Sequence, residues 1–316
     1  MFSRPEPIEL YLAPMEGVVD PVIRDLFTRI GGIDQCVTEF IRVTDKVHSD
    51  KIFYHYCPEL LSGSRTQAGT PVAVQLLGGQ VTPLAENAKR AADLGAHSID
   101  FNFGCPAKTV NRHDGGATLL KSPHRIFDIL KAARAAVPAH IPVTAKIRLG
   151  FDDPKSCLEN AMAVKEAGIQ TLTVHCRTKT DMYKPPAYWE WIPLIRERSG
   201  LEIVANGDIW TVEDFERCRE ITGSRKFMLG RGAIANPFLF LQIRGQAVGQ
   251  WPAIAPLVQQ FLQLSNQYRG PDYAVTRTKQ WLVQLSKRHA PAAEVFHQIK
   301  TLRAFSDFQP ALQNLS

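Results

Sequence analysis

Cys105 stands between Gly104 and Pro106, where a short apolar run, Ser98–Phe103, gives way to a turn. Cysteines inside apolar runs serve as small core side chains, which is the reading for Cys36, Cys157 and Cys218. A thiol where the chain turns outward is placed for chemistry, and one near neutral pKa can give a proton to an enolate-like carbon. Lys146 falls within the apolar run Pro142–Leu149, with Arg148 two residues on. An ammonium inside such a run needs an electron-rich or anionic partner, the alternative being a rim lysine that snorkels to water. Pro14, Met15, Glu16, Glu39, Gln75, Asn102, His175 and Arg177 also lie at or near the ends of apolar runs. His175 can contact a phosphate or a substrate, or satisfy a neighbouring carbonyl. Asn102 can hold the edge of a bound ring, a catalytic water or its own loop. Two glycine turns complete the set, Asn206-Gly207-Asp208 and Gly230-Arg231-Gly232. Glycine lets a backbone approach a phosphate, and a following helix adds N–H donors, although a plain tight turn has the same look.

Elements that bring these positions together are visible as eight β-branched-rich runs: 8–15, 35–43, 71–77, 98–103, 142–149, 171–176, 202–205 and 225–229. Helix starts follow them at Asp20-Pro21, Thr82-Pro83, Ser122-Pro123, Asp153-Pro154 and Asn236-Pro237, where an oxygen-bearing side chain precedes proline. Thr211 with Asp214 adds a capping box. Eight strand–helix units over about 240 residues predict a (β/α)8 TIM barrel, whose functional groups lie at the C-terminal strand ends. A doubly wound sheet would carry its glycine-rich phosphate turn after the first strand. Here the Gly-x-Gly-x-x-Ala pattern at 230–235 follows the eighth, the usual phosphate position of a barrel. Beyond about residue 238 the strand signal stops. Apolar residues at helical spacing predict helices over 256–268, 274–288 and 292–305, so the division is a catalytic barrel, 1–240, and a smaller all-helical C-terminal domain, 241–316. The connection 44–70 is long enough for a helix of its own, and 178–188 is placed to arch over the barrel mouth.

The formal charge of +6 is unevenly placed. From residue 241 onward there are eight Lys and Arg against three Asp and Glu, a net +5, which leaves +1 for the first 240 residues. A basic helical tail on a nearly neutral body points to a polyanionic partner, with a merely solvated surface as the alternative. No apolar run is long enough to span a bilayer, and the N-terminal stretch has charges and prolines where a signal peptide needs an apolar core. The reading is a cytoplasmic protein without membrane association. The six cysteines show no paired spacing, which predicts neither a disulfide framework nor a metal site.

At these residues the sequence resembles the tRNA-dihydrouridine synthase family. The matching segments are 13–17 (AlaProMetGluGly), 74–78, 100–110 with its Asn-x-Gly-Cys-Pro core, 115–121, 146–150, 174–178, 205–208 and 229–232, in the family's order along the barrel. ArgThrLysGlnTrpLeu, 277–282, extends the likeness into the tail. The nearest likeness is to the branch that acts on uridine-16 of the tRNA D-loop. The resemblance implies bound FMN, NADPH as reductant and tRNA as partner, and the chain is read as a monomer. It implies that Pro14, Met15, Glu16, Gln75, Lys146 and His175 hold the ring and ribityl parts of FMN. Asn206, Gly207, Asp208, Gly230 and Arg231 would hold its phosphate end. Hydride would pass from flavin N5 to uracil C6, with Cys105 protonating C5. Asn102 and Tyr183 would meet the base, and Arg42, Arg277, Lys279 and Lys300 would orient the tRNA.

Overall fold

The computed structural model describes residues 7–112, 114–247 and 249–314. Its parallel strands are β1 (Glu9–Leu12), β2 (Gln35–Val37), β3 (Ile41–Arg42), β4 (Val72–Leu77), β5 (Ile99–Asn102), β6 (Val143–Gly150), β7 (Thr171–Thr178), β8 (Glu202–Asn206) and β9 (Lys226–Leu229). β1 pairs with both β2 and β9, and β4 pairs with both β2 and β3, so the sheet closes on itself. This is the expected (β/α)8 barrel, with β2 and β3 as two pieces of its second strand. The break has a local cause. The Thr38 hydroxyl accepts from the Gln75 N–H at 3.0 Å, taking a place in the ladder that a backbone carbonyl would otherwise fill.

Between strands run α1 (Pro21–Ile30), α2 (Asp50–Tyr56), α3 (Val81–Asp93), α4 (Lys108–Asn111), α5 (Pro123–Ala136), α6 (Ser156–Glu166), α7 (Trp191–Ser199) and α8 (Val212–Thr222). α9 (Arg231–Ala235) and α10 (Leu239–Ile243) follow β9. Asp20 caps α1 through Ile23 N at 2.9 Å, and the Thr211 hydroxyl accepts from Asp214 N at 3.1 Å. Other starts move by a turn's fraction. α3 begins at Val81, ahead of Thr82-Pro83, and α6 begins at Ser156 because Asp153 first makes its own turn, accepting from Lys155 N at 2.9 Å. Ser122 precedes α5 without a side-chain cap. Asn236 accepts from Phe238 N at 3.2 Å, and α10 starts one residue later.

Beyond α10 the described residues form four helices, not three: α11 (Trp251–Arg269), α12 (Pro271–Leu285), α13 (Ala290–Ile299) and α14 (Phe305–Asn314). The run 292–305 is therefore a helix end, a break and a helix start. Lys279 Nζ stabilises the break by donating to the carbonyls of Lys300, at 2.9 Å, and Leu302. Trp281 seats α12 on the barrel, its indole N–H donating to Ile234 O at 3.0 Å and its ring lying 5.8 Å from Phe27.

Period-two alternation decides what faces where. In β6, Ala145, Ile147 and Leu149 pack outward in the main core, and the alternate set is Thr144, Lys146 and Arg148. In β7 the corresponding sets are Leu172, Val174 and Cys176 outward, with Thr173, His175 and Arg177 alternate. Across the barrel, Tyr11, Ala13, Val37, Ala73, Val204 and Met228 form a separate small apolar cluster. The interior is thus apolar on the β1, β2 and β9 side, joined by Ala73 of β4 and Val204 of β8, and polar across β5, β6 and β7.

Arg24 of α1 is fully buried and tied to Glu59 at 2.8 and 2.9 Å, and it also donates to Val19 O and Tyr56 O. It locks the 44–70 connection, which holds α2, against the first βα unit. Glu59→Ala leaves that guanidinium buried without its counter-ion and should cost about 3–5 kcal/mol of stability, measured by chemical denaturation. A loss within about 0.5 kcal/mol, the size of an ordinary surface change, would show that the pair does not hold this connection.

Candidate active site

A cleft of about 570 Å³ opens at the C-terminal ends of the strands, within the range of small-molecule sites. Its lining includes Pro14, Met15, Glu16, Gln75, Asn102, Cys105, Lys146, His175, Tyr183, Asn206, Gly207, Asp208, Gly230 and Arg231. The structure therefore brings together every residue expected at the cofactor, the proton donor and the base. Arg42, Arg277, Lys279 and Lys300 lie outside this lining.

Cys105 is positioned by a chain of polar contacts that runs through β5 and both of its neighbouring strands. Asp100 accepts from the Gln75 amide at 2.7 Å and from the Thr144 hydroxyl at 2.6 Å. That sets the Gln75 carbonyl toward Asn102, whose amide donates to it at 2.9 Å. The Asn102 carbonyl in turn accepts from Gly104 N at 2.9 Å, while Arg148 Nε grips Gly104 O, also at 2.9 Å. The Cys105 carbonyl accepts from Asn111 and from Ala117 N, each at 3.0 Å. Gly116, at φ +60, is needed beneath it, because a Cβ there would lie 2.8 Å from that carbonyl. Cys105 itself is half-buried, whereas the other five cysteines are buried.

Burial pushes the Cys105 thiol above its ordinary value of 9.0, and Glu16 adds to the rise. The Ala107 N–H, Arg148 and Lys146 oppose it without cancelling it. The sequence reading of a thiol near neutral pKa is corrected here. Desolvation outweighs the nearby cations, so the group rests as a protonated thiol.

Lys146 faces the cleft with Nζ donating to Asn206 Oδ1 at 3.0 Å, and the Asn206 amide donates onward to Met228 O at 2.7 Å. Burial first, then repulsion from Arg148, lowers its pKa to about 8. His175, buried beside Arg177 at 3.3 Å, is held well below its ordinary value by burial and by Arg148, Lys146, Arg177 and Arg231. It is a neutral imidazole at physiological pH. Arg177 reaches the carbonyl of Lys184 at 2.6 Å and ion-pairs with Asp208, which also meets Arg231 at 3.2 Å. Gly207, at φ +127, makes the turn that presents Asp208.

Arg148 Nη1 donates to the carbonyls of Thr178 and Met182, at 3.0 and 2.8 Å. Together with Arg177 it draws the 178–188 segment over the mouth, as expected. Tyr183, about half exposed, lies 4.9 Å from the Arg231 guanidinium and 5.2 Å from that of Arg148. Sequence reasoning missed Asp100, Thr144 and Trp210. The first two were accessible through alternation, since they stand two residues before Asn102 and Lys146 on the same faces. Trp210, stacked 5.2 Å from Arg231, follows a strand end by four residues and gave no local signal.

Of the cations expected to orient an RNA, Arg42 makes one long contact, 3.4 Å to Thr109 O, and Lys300 is exposed. Lys279 is committed to the end of α13. Arg277 is buried against the β1–α1 turn. Among the described residues no group of three His, Cys, Asp or Glu side chains is placed to hold a metal.

A closed parallel barrel with a thiol, a lysine and clustered arginines at its C-terminal mouth is the architecture of a TIM-barrel enzyme. The DHODH of Eimeria tenella in complex with ferulenol shares this fold, with a TM-score of 0.55 and 14% identity over 85% of this chain and 84% of that one. The sequence model described as Dihydrouridine synthase (Dus) matches residues 11–315, and the chain belongs to that family. It is 48% identical over 299 residues to the tRNA-dihydrouridine(16) synthase of Pseudomonas putida, covering 93% of each. To the protein of the same name from Shewanella oneidensis it is 47% identical over 307 residues, covering 97% of this chain and 98% of the other.

A raised thiol pKa has a direct consequence. Alkylation of Cys105 by iodoacetamide requires the thiolate, so it should be slow at pH 7 and accelerate as pH rises past 9. A rate already at its plateau by pH 7 would mean that the neighbouring cations, not burial, set the thiol.

Proposed function

We propose that this protein is an FMN-dependent tRNA-dihydrouridine synthase that reduces the C5–C6 bond of uridine 16 in the tRNA D-loop, using NADPH. The observation that carries the reading is the Cys105 thiol lining the same cleft as Lys146, Arg148 and Arg231. An electron-rich ring and a phosphate fit this donor set. Lys146, Arg148, Arg177 and Arg231 outnumber Glu16 and Asp208 at the mouth, and the cations lower one another's pKa or that of His175. Ala13, Pro14, Met15, Val18 and Met228 offer an apolar wall for a planar ring.

On this reading Pro14, Met15, Glu16, Gln75, Lys146 and His175 hold the ring and ribityl parts of FMN. Asn206, Gly207, Asp208, Gly230 and Arg231 hold its phosphate end. When bound, FMN supplies the hydride that no side chain can carry. Lys146, beside the ring, favours the added negative charge of the reduced cofactor. The uridine must leave its stack to enter the cleft. Asn102 then holds the uracil edge and Tyr183 receives the ring by stacking.

Cys105 Sγ gives its proton to uracil C5. Burial keeps that proton in place until the acceptor arrives. The Ala107 N–H and the charges of Arg148 and Lys146 then steady the thiolate until solvent restores the proton. The helical segment, 241–316, forms a basic tRNA-binding domain beside the barrel, 1–240, with Arg42 and Lys300 positioned for phosphate. Lys279 supports that surface by holding the end of α13, and Arg277 by holding α12. No helix among the described residues is long and apolar enough to cross a membrane. The protein is proposed to act as a cytoplasmic monomer.

Dihydrouridine mapped by mass spectrometry, in tRNA from a strain lacking all such enzymes, tests the proposal. The gene should restore dihydrouridine at position 16, and Cys105→Ala should lower turnover about 10²–10⁴-fold, the scale of a lost general acid. Modification at another position would contradict the site choice. No modification by folded, FMN-loaded protein would contradict the activity.

A further inference from the structure

Beside the main cleft lies a second recess of about 340 Å³, within the size range of small-molecule sites. Tyr183, Asp208, Trp210 and Arg231 line both, so the two cavities share a wall. The far side of the recess is built by Pro185, Pro186 and Trp189 after β7, and by Asp214 and Arg217 of α8. Its rings are fixed. The buried Trp189 donates its indole N–H to Gly207 O at 2.8 Å. Trp210 is held through its backbone N–H, which donates to Asp214 Oδ2 at 3.1 Å. Two guanidiniums lie over these rings, Arg217 at 5.2 Å from Trp189 and Arg231 at 5.2 Å from Trp210. Rigid aromatic faces interleaved with arginine suit a nucleobase, because every base has a π-face to stack.

The charges in the recess are not equivalent. Asp208 is taken up by Arg177 and Arg231, which commits Arg231 to the shared wall. Arg217 meets Asp214 at a long 3.3 Å with its side chain 64% exposed, so that pair holds it weakly. Its guanidinium can exchange that partner for a phosphate, which it binds through paired hydrogen bonds. The recess also lies away from the cations expected to meet RNA. Arg42 ends β3, and Arg277, paired with Asp20 at 3.0 Å, sits against the turn after β1. The recess belongs instead to the segments that follow β7 and β8.

We propose that this recess seats the adenosine end of NADPH, with the base against Trp210 and the 2′-phosphate on Arg217, while the nicotinamide end reaches over the shared wall into the cleft. The inference rests on the reading that the reductant is a nicotinamide dinucleotide. NADPH differs from NADH only in its 2′-phosphate, so Arg217 is then the residue that tells the two apart.

Two fragments of the reductant test this without turnover. FMN-loaded protein is titrated by calorimetry with adenosine 2′,5′-bisphosphate and, separately, with adenosine 5′-monophosphate. Wild type should bind the bisphosphate about tenfold more tightly or better, the scale of charge-assisted hydrogen bonds. Arg217→Gln should erase most of that difference. Arg217→Lys, which keeps a phosphate-binding charge, should bring it back to within about threefold of wild type. The same residue should show in the reductants themselves, read as anaerobic bleaching of the flavin absorbance. There the preference for NADPH over NADH should fall about tenfold in the glutamine variant. Equal binding of the two fragments by wild type, or a preference that survives Arg217→Gln, would overturn the inference. So would a glutamine variant that keeps the preference while its slope of log K against log salt for tRNA drops by about one, since that assigns the arginine to an RNA phosphate. Failure of the underlying reading looks different: wild-type flavin would be bleached by neither NADPH nor NADH.

Discussion

Like charges crowded into the barrel mouth set the terms for everything else in this structure. Lys146 projects from the middle of β6, with Arg148 on the same strand face, Arg177 at the end of the adjacent β7 and Arg231 just beyond β9. Burial, then repulsion from Arg148, brings the Lys146 pKa down to about 8, and burial together with all four cations holds His175 neutral. Such an arrangement costs folding free energy, because buried charge without sufficient counter-charge is unfavourable. Asp208 and the buried Asp100 offset part of it. On the proposed reading a ligand that brings electron density relieves the remainder, as a flavin ring and its phosphate would. Local violations of good packing practice of this kind cluster where function needs them.

The same arginines have a second use. Their planar forks hold main-chain carbonyls that no strand or helix satisfies. Arg148 and Arg177 hold the 178–188 segment that carries Tyr183, Arg148 also holds the turn before Cys105, and Arg24 and Arg277 hold the turn after β1. Irregular loops at a barrel mouth would otherwise leave buried carbonyls unpaired. Here they are fixed by residues rooted in rigid strands and helices. The geometry around Cys105 is therefore inherited from the barrel and not from the loop, and the Asp100–Gln75–Asn102–Gly104 relay shows how far back it reaches. A proton donor works only when its acceptor is within hydrogen-bond reach, so in the role proposed for Cys105 this rigidity is part of the chemistry.

Much of this was legible in the residues. Strand runs, Xaa-Pro helix starts and the late glycine turn were enough for the barrel, because each reports a local backbone requirement. Cys105, Lys146 and His175 stood out because polar groups inside or just beyond apolar runs must have partners. What stayed hidden depended on three-dimensional neighbours. Thr38 splits the second strand by side-chain competition for a ladder donor, which strand propensity does not register. The fourth C-terminal helix was merged with the third because Lys279, twenty-one residues earlier than Lys300, stabilises the break between them. Arg277 reads as one more basic residue until its carboxylate partner, Asp20, appears at the far end of the chain. The Cys105 pKa was misjudged for a related reason. The sequence displays nearby cations but not the burial that outweighs them.

The most direct test of this electrostatic account is the thermal stability of wild-type and Lys146→Met protein, each measured stripped of FMN and saturated with it. If cation crowding is the organising strain, the variant stripped of cofactor should melt higher than stripped wild type, yet gain less from FMN, so the order reverses or closes on saturation. A stripped variant that melts lower than wild type, or one that gains as much from FMN, would mean that Lys146 is an ordinary satisfied core residue and that the charge cluster does not govern the site.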